Sequence, residues 1–199
     1  MLVSKLPKVM EYYGIGSDDL DQLCAILKQE IPNSPLTREQ LIKLYYGHTK
    51  RLTKDSLLDC CRLFGLTRVG QLIDFESAPE GEDEFLTVLP DSFKLLCHLP
   101  EIMKQQGRSQ YSLERDTRMH PNTISSWFRD FDSMNRFDLS SIEKIGQALH
   151  LQTIDQLFSL KVANSRGRRK RKEISSLFAK KEVLPTAYVP TKLPVLKTA

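Results

Sequence analysis

The chain has little of what most protein chemistries require. Its four cysteines, Cys24, Cys60, Cys61 and Cys97, form no CxxC pair, and its four histidines are scattered. Structural metal sites and disulfide frameworks draw on closely spaced ligands, so neither is expected, and the thiols read as small apolar side chains lining helices. Only nine glycines are present, none in a loop that could cradle a phosphate, and GxSxG and HExxH are missing. Cys97 and His98 adjoin on what reads as helix, where neighbouring side chains point apart, so they make no nucleophile and base. No enzyme and no cofactor are therefore expected. No run of about 18 apolar residues occurs, which excludes an apolar membrane-spanning helix. The opening MLVSKLPKVMEYYG also lacks the apolar centre of an export signal, so a cytoplasmic protein is expected.

What the chain does have is an uneven charge. Residues 1–160 carry 18 Lys or Arg against 23 Asp or Glu, whereas residues 161–199 carry 11 against 2. The excess is concentrated in SRGRRKRKE, where Arg166, Arg168, Arg169, Lys170, Arg171 and Lys172 crowd together. Such density repels itself and resists folding without a polyanion. An arm lying along phosphates is expected, with a log-affinity against log-salt slope of about −5. Beyond it, EISSLFAKK reads as one or two helical turns and VLPTAYVPTKLPVLKTA as extended, proline-spaced chain.

The acidic body contains an internal repeat. LPKVMEYYG at Leu6–Gly14 matches LPEIMKQQG at Leu99–Gly107, and RVGQLI at Arg68–Ile73 matches TIDQLF at Thr153–Phe158. Between these ends LLDCCRLFGL parallels IEKIGQALHL, each an amphipathic helix, with Asp138 placed to cap the later one. In the first copy DDLDQLCAILKQE predicts a longer helix broken by IPNSP, and TREQLIKLYYG predicts another capped by Thr37. That helix points Arg38, Glu39, Gln40, Lys43 and Tyr46 outward. Residues 76–91 are acidic, with Pro and Gly in the first half, and read as a linker whose FLTVL segment could dock on a domain.

The most informative stretch is Gln110–Arg129, QYSLERDTRMHPNTISSWFR. Leu113 and Thr117 share one face of a first helix, and Ile124 and Trp127 share one face of a second. Pro121 disfavours helix at His120 yet suits the first turn of a new helix, so MHPN predicts a tight corner. The second helix then presents Asn122, Thr123, Ser125, Ser126 and Arg129, short hydrogen-bonding groups with one terminal cation, a surface suited to base edges and phosphates.

From about Phe93 to Leu160 this pattern resembles the phage repressor and Cro (Xre-like) helix-turn-helix family. The resemblance implies that Gln110 opens the first motif helix, that Ile124 and Trp127 anchor the corner, and that His120 to Ser126 face the major groove. It also implies that the loop after the recognition helix runs beside the DNA backbone, which in the first copy marks Lys50, Arg51 and Lys54 as phosphate contacts. Two positions depart from the family. Glu114 stands where a small Ala is usual, and Arg118 stands at the usual turn Gly, which implies a changed crossing angle or a lost function.

The expected architecture is all-α, with two tandem repressor-like helix-turn-helix domains and a disordered basic C-terminal tail. A diverged domain spans residues 1–75, an acidic linker 76–91, a second domain 92–160 and the tail 161–199. The expected function is a sequence-specific transcriptional regulator, cytoplasmic and nucleoid-associated, that binds double-stranded DNA. Its contacts are Gln110, Arg118, His120, Asn122, Thr123, Ser125, Ser126 and Arg129 from the second copy, Arg38, Gln40, Lys43, Lys50, Arg51 and Lys54 from the first, and the six basic arm residues. The sequence leaves room for a homodimer or a protein partner through the first domain or the tail. The alternative is a protein-interaction adaptor or accessory subunit of a nucleic-acid complex, carrying a degenerate motif.

Overall fold

Several helices begin where their capping residues stand. In the computed structural model, which describes residues 1–79, 84–163 and 172–178, the Thr37 hydroxyl accepts the Gln40 N–H (3.2 Å) and the Gln40 side chain accepts the Thr37 N–H (3.0 Å). This reciprocal cap opens a helix over Arg38–Tyr45. Thr53, Ser109 and Asp138 likewise accept the N–H groups of Ser56, Ser112 and Ser140. Each satisfies a donor that the first turn of a helix leaves open.

The first half of the chain runs β1 (Leu2–Ser4), α1 (Leu6–Tyr12), α2 (Leu20–Glu30), α3 (Arg38–Tyr45), β2 (Arg51–Thr53), α4 (Lys54–Leu63) and β3 (Ile73–Phe75). The second runs β4 (Ser92–Cys97), α5 (Leu99–Gln105), α6 (Gln110–Thr117), α7 (Pro121–Arg129), β5 (Arg136–Asp138), α8 (Leu139–Ala148) and β6 (Phe158–Ala163). The same order of elements therefore occurs twice, and a short α9 (Ile174–Phe178) follows. The likeness extends to individual bonds. Gln71 Oε1 accepts the N–H groups of Thr67 (2.8 Å) and Arg68 (2.9 Å), and Gln156 Oε1 accepts those of Gln152 (2.6 Å) and Thr153 (3.2 Å).

The all-α expectation is corrected by three antiparallel two-stranded ribbons, β1–β3, β2–β5 and β4–β6. Four of these strands are three residues long, too short for an alternating pattern to register. Their hydrogen-bond partners are also far away in sequence, so no local signal marks them. β4 shows a period of two, with Phe93 and Leu95 buried and Lys94 exposed between them, and β6 alternates in sequence as well, Phe158, Leu160 and Val162 against Ser159 and Lys161. Cys97 ends that strand rather than lying on a helix, and His98 stands between it and α5, with Nε2 2.7 Å from Ser159 Oγ.

The ribbon β2–β5 joins the two halves and sets Leu52 opposite Phe137, both buried. Nearby, the Gly70 N–H donates to Asp155 (2.7 Å) and the Ile154 N–H to Asp74 (2.8 Å), a buried carboxylate that also holds Lys5 Nζ at 3.2 Å. Phe75 lies against Gly146 so closely that a Cβ there would sit 2.2 Å from its ring. One continuous apolar core consequently runs from Leu6 to Phe158.

The stretch read as a linker is partly bound to the first half. Phe85 bridges to Leu66, the Leu86 N–H donates to the Gly65 carbonyl (2.6 Å), and Arg62 Nε donates to the Pro90 carbonyl (2.7 Å). The expected helical turn in EISSLFAKK is present as α9. Its Ile174 is buried, and Phe178 stacks on Phe64 at 5.6 Å. Lys172, placed by sequence in the arm, meets Glu30 at 2.7 Å, and its carbonyl accepts the Leu89 N–H. The other arm residues, Arg166, Arg168, Arg169, Lys170 and Arg171, lie outside the described residues. Among the described residues, no helix is long and apolar enough to cross a membrane.

Candidate nucleic-acid interface

The corner between α6 and α7 is three residues long, and its first residue decides its shape. Arg118 adopts the left-handed conformation (φ 53°) that a turn glycine would ordinarily take. Met119 is buried, and His120 closes the turn by accepting the Asn122 N–H on Nδ1 (3.2 Å). Pro121 sits in the first turn of α7, where its missing N–H has no helical acceptor to lose. The charged departure at Arg118 thus preserves the turn at a conformational cost, and Glu114 lies half-buried on α6.

Packing then fixes the outward face of α7. Ile124 is fully buried, and Trp127 is enclosed by Phe131, Phe137 and Phe158 with ring centroids 5.8 to 6.0 Å away. Leu113 and Thr117 are buried on the facing side of α6, and the Thr117 hydroxyl donates to the Leu113 carbonyl (2.7 Å), which removes the cost of burying it. With that side of α7 held, Asn122, Thr123 and Arg129 are exposed and Ser125 and Ser126 half-exposed. Ser126 Oγ donates to the Asn122 carbonyl (2.8 Å), which leaves its oxygen as an acceptor. Gln110 opens α6 half-buried, one residue after the Ser109 cap.

A helix capped against a three-residue turn, anchored by two buried side chains and open along its polar face, can present donors and acceptors to the edges of base pairs. Residues 98–162 match the family model of the Cro/C1-type HTH DNA-binding domain. A Cro/C1-type helix-turn-helix domain is therefore present in the second half, and α6 and α7 lie within the matched residues. No curated protein and no solved structure matches the chain.

The first-half candidates are placed differently. Arg38 forms a two-pronged ion pair with Asp21, which draws the Asp21 carboxyl below its usual range through the guanidinium hydrogen bond. Lys43 Nζ meets Glu39 at 2.6 Å, and Gln40 is engaged in the cap of α3. Lys54 is turned inward. Its side chain is 12% exposed, and its ammonium donates to the carbonyls of Phe131 and Asp132 (3.3 Å each) while lying 4.8 Å over the Phe131 ring. Lys50 and Arg51 stay exposed, with Arg51 3.9 Å from Asp138.

The structure also brings together residues that sequence reasoning passed over. An open groove of about 940 Å³ runs along the seam, lined by Lys43, His48, Lys50 and Arg51 of the first half and by Arg136 and Asp138 of the second. Arg136 lies at the same strand position as Arg51, a correspondence visible only once the two halves are aligned. Asp132, close enough in sequence to the helix-turn-helix to threaten a phosphate contact, instead meets Lys94 at 3.1 Å and Lys54 at 3.8 Å. Among the described residues no cluster of His, Cys, Asp or Glu could hold a metal. Burial pushes the Cys60 and Cys97 thiols up to about 12, so neither supplies a thiolate near neutral pH.

Proposed function

We propose that the protein is a sequence-specific DNA-binding transcriptional regulator built from two helix-turn-helix units, of which the second is the better preserved. The observation that carries this reading is the polar face of α7, held outward by the buried Ile124 and Trp127. Asn122 and Thr123 read base edges, Ser125 and Ser126 flank them, and Gln110, Arg118, His120 and Arg129 approach the backbone on either side. Lys50 and Arg51 contact phosphates from the first unit. The run from Arg166 to Arg171 adds affinity that depends on salt and not on sequence.

The direct test compares Asn122→Ala with the unaltered protein on a selected duplex and on a scrambled one. The variant is expected to lose roughly 1 to 3 kcal/mol on the selected duplex and to keep its affinity for the scrambled one. Deleting residues 166–171 is expected to weaken both and to flatten the salt dependence. A random-site selection that enriched no consensus would refute sequence-specific binding and support a protein-interaction adaptor.

A further inference from the structure

Two of the contacts between the halves join like to like. β2 and β5 hold the same place in their halves, and their antiparallel pairing centres on Leu52 opposite Phe137, which are equivalent positions. Gly70 and Asp155 are equivalent as well, and they are bonded to each other. A surface that meets its own equivalent at two places is the mark of a two-fold relation, so an approximate two-fold axis passes between both pairs. Rotation about that axis keeps α3 and α7 at the same height, each leading through its loop into the ribbon on the axis.

The two helices nevertheless present different chemistry. Aligned through Leu41 with Ile124 and Leu44 with Trp127, α3 sets Glu39 where α7 has Asn122 and Gln40 where it has Thr123. It also sets Ile42 in place of Ser125 and Lys43 in place of Ser126. A carboxylate can only accept, from the amino group of cytosine or adenine, and repels the phosphates on either side. Glu39 holds Lys43 at 2.6 Å, and the Gln40 carbonyl oxygen is engaged by the Thr37 N–H. Ile42 has no hydrogen-bonding group. Base reading by α3 is therefore poor.

The groove at the seam, which reaches α3 at Gln40 and Lys43, suits phosphate. Of the acidic residues lining its groove, Asp138 faces Arg51 and caps α8, and Glu143 meets the Met1 ammonium at 3.4 Å. Lys50 and Arg136 line the same groove, are exposed, and form no ion pair among the described residues.

We infer that the protein reads an asymmetric DNA site, in which α7 alone specifies bases while the seam and the α3 side hold only the sugar–phosphate backbone. This rests on the DNA-binding reading above and narrows it, placing the base information on one side of the two-fold axis. The full-length protein would be used in a random-duplex selection, followed by hydroxyl-radical footprinting on the selected site. The expected consensus is one short run of base pairs with no inverted partner, and protection should continue across the seam onto unspecified sequence. Lys50→Ala and Arg136→Ala should each weaken selected and scrambled duplexes equally, by about fivefold near physiological salt, and lower the salt slope by about one. Glu39→Ala should leave the consensus unchanged. An inverted-repeat consensus, or a base preference altered by Glu39→Ala, would overturn the asymmetry while leaving DNA binding intact. Protection that stopped at the consensus would overturn the backbone hold. Failure to bind any duplex would remove the DNA-binding reading itself.

Discussion

The backbone N–H of Gly70 donates to the carboxylate of Asp155 at 2.7 Å, and these residues occupy the same position in the two halves of the chain. One half supplies the side chain and the other the space for it, since a Cβ at Gly70 would lie 2.5 Å from Asp155 Oδ2. At this contact each half completes the other.

Burial holds the Asp155 carboxyl above its usual range, partly offset by the Gly70 N–H and by Arg68, while the nearby Asp74 pushes it further up. The folded protein therefore binds this proton more tightly than the unfolded chain does. The cost of burying the ionised form is present above the folded value and is relieved as pH falls toward the ordinary carboxylate value of about 3.9. Asp155→Asn keeps an acceptor for Gly70 and cannot ionise. In urea denaturation it is expected to be more stable than the wild type near pH 7, with the difference shrinking to nothing as pH falls through the carboxylate range. A difference constant across pH would show that the charge of Asp155 is not what burial penalises.

Gly146 on α8 leaves room for the ring of Phe75 from the first half, and the two are too close for any side chain at Gly146. Gly146→Ala should displace the ring from a continuous core and destabilise the fold by about 1 to 3 kcal/mol. Because that core spans both halves, loss should appear as one shifted unfolding transition. Two separate transitions would show that the halves fold independently.

Arg118 and His150 both stand in the left-handed region, at φ 53° and 56°, and the first-half equivalent of His150 is Gly65 at φ 61°. His150→Gly and Arg118→Gly are each expected to raise stability by roughly 0.5 to 1 kcal/mol, the relief of strain exceeding the flexibility that glycine adds to the unfolded chain. The two should part company in DNA titrations. Loss of the Arg118 cation lowers affinity for all duplexes, while His150→Gly leaves it unchanged. Equal affinities would place Arg118 outside the interface.

The helix-turn-helix was legible because its signals are local. The three- and four-residue spacing of Leu113, Thr117, Ile124 and Trp127, the break at Pro121 and the polar set from Asn122 to Arg129 all fall within twenty residues. The caps at Thr37 and Asp138 were legible for the same reason, since a cap is a bond between near neighbours. Lys54 was not. Nothing in HTKRLTK distinguishes a cation facing solvent from one lying over Phe131, whose ring arrives from the other half.

Sequence by itself determined the local elements: where most helices begin, which of their faces are apolar, and that short stretches of the first half resemble stretches of the second. It also determined the partition of charge between an acidic body and a basic run. Only the tertiary structure decided how the halves meet, because three-residue strands such as β2 and β5 have no periodicity of their own and exist through partners supplied from a distance. That meeting turned Lys54 inward, set Arg136 beside Lys50 in one groove, and brought Gly70 against Asp155. Each depends on two surfaces fitting together, which is a property of the folded chain and not of any stretch of it.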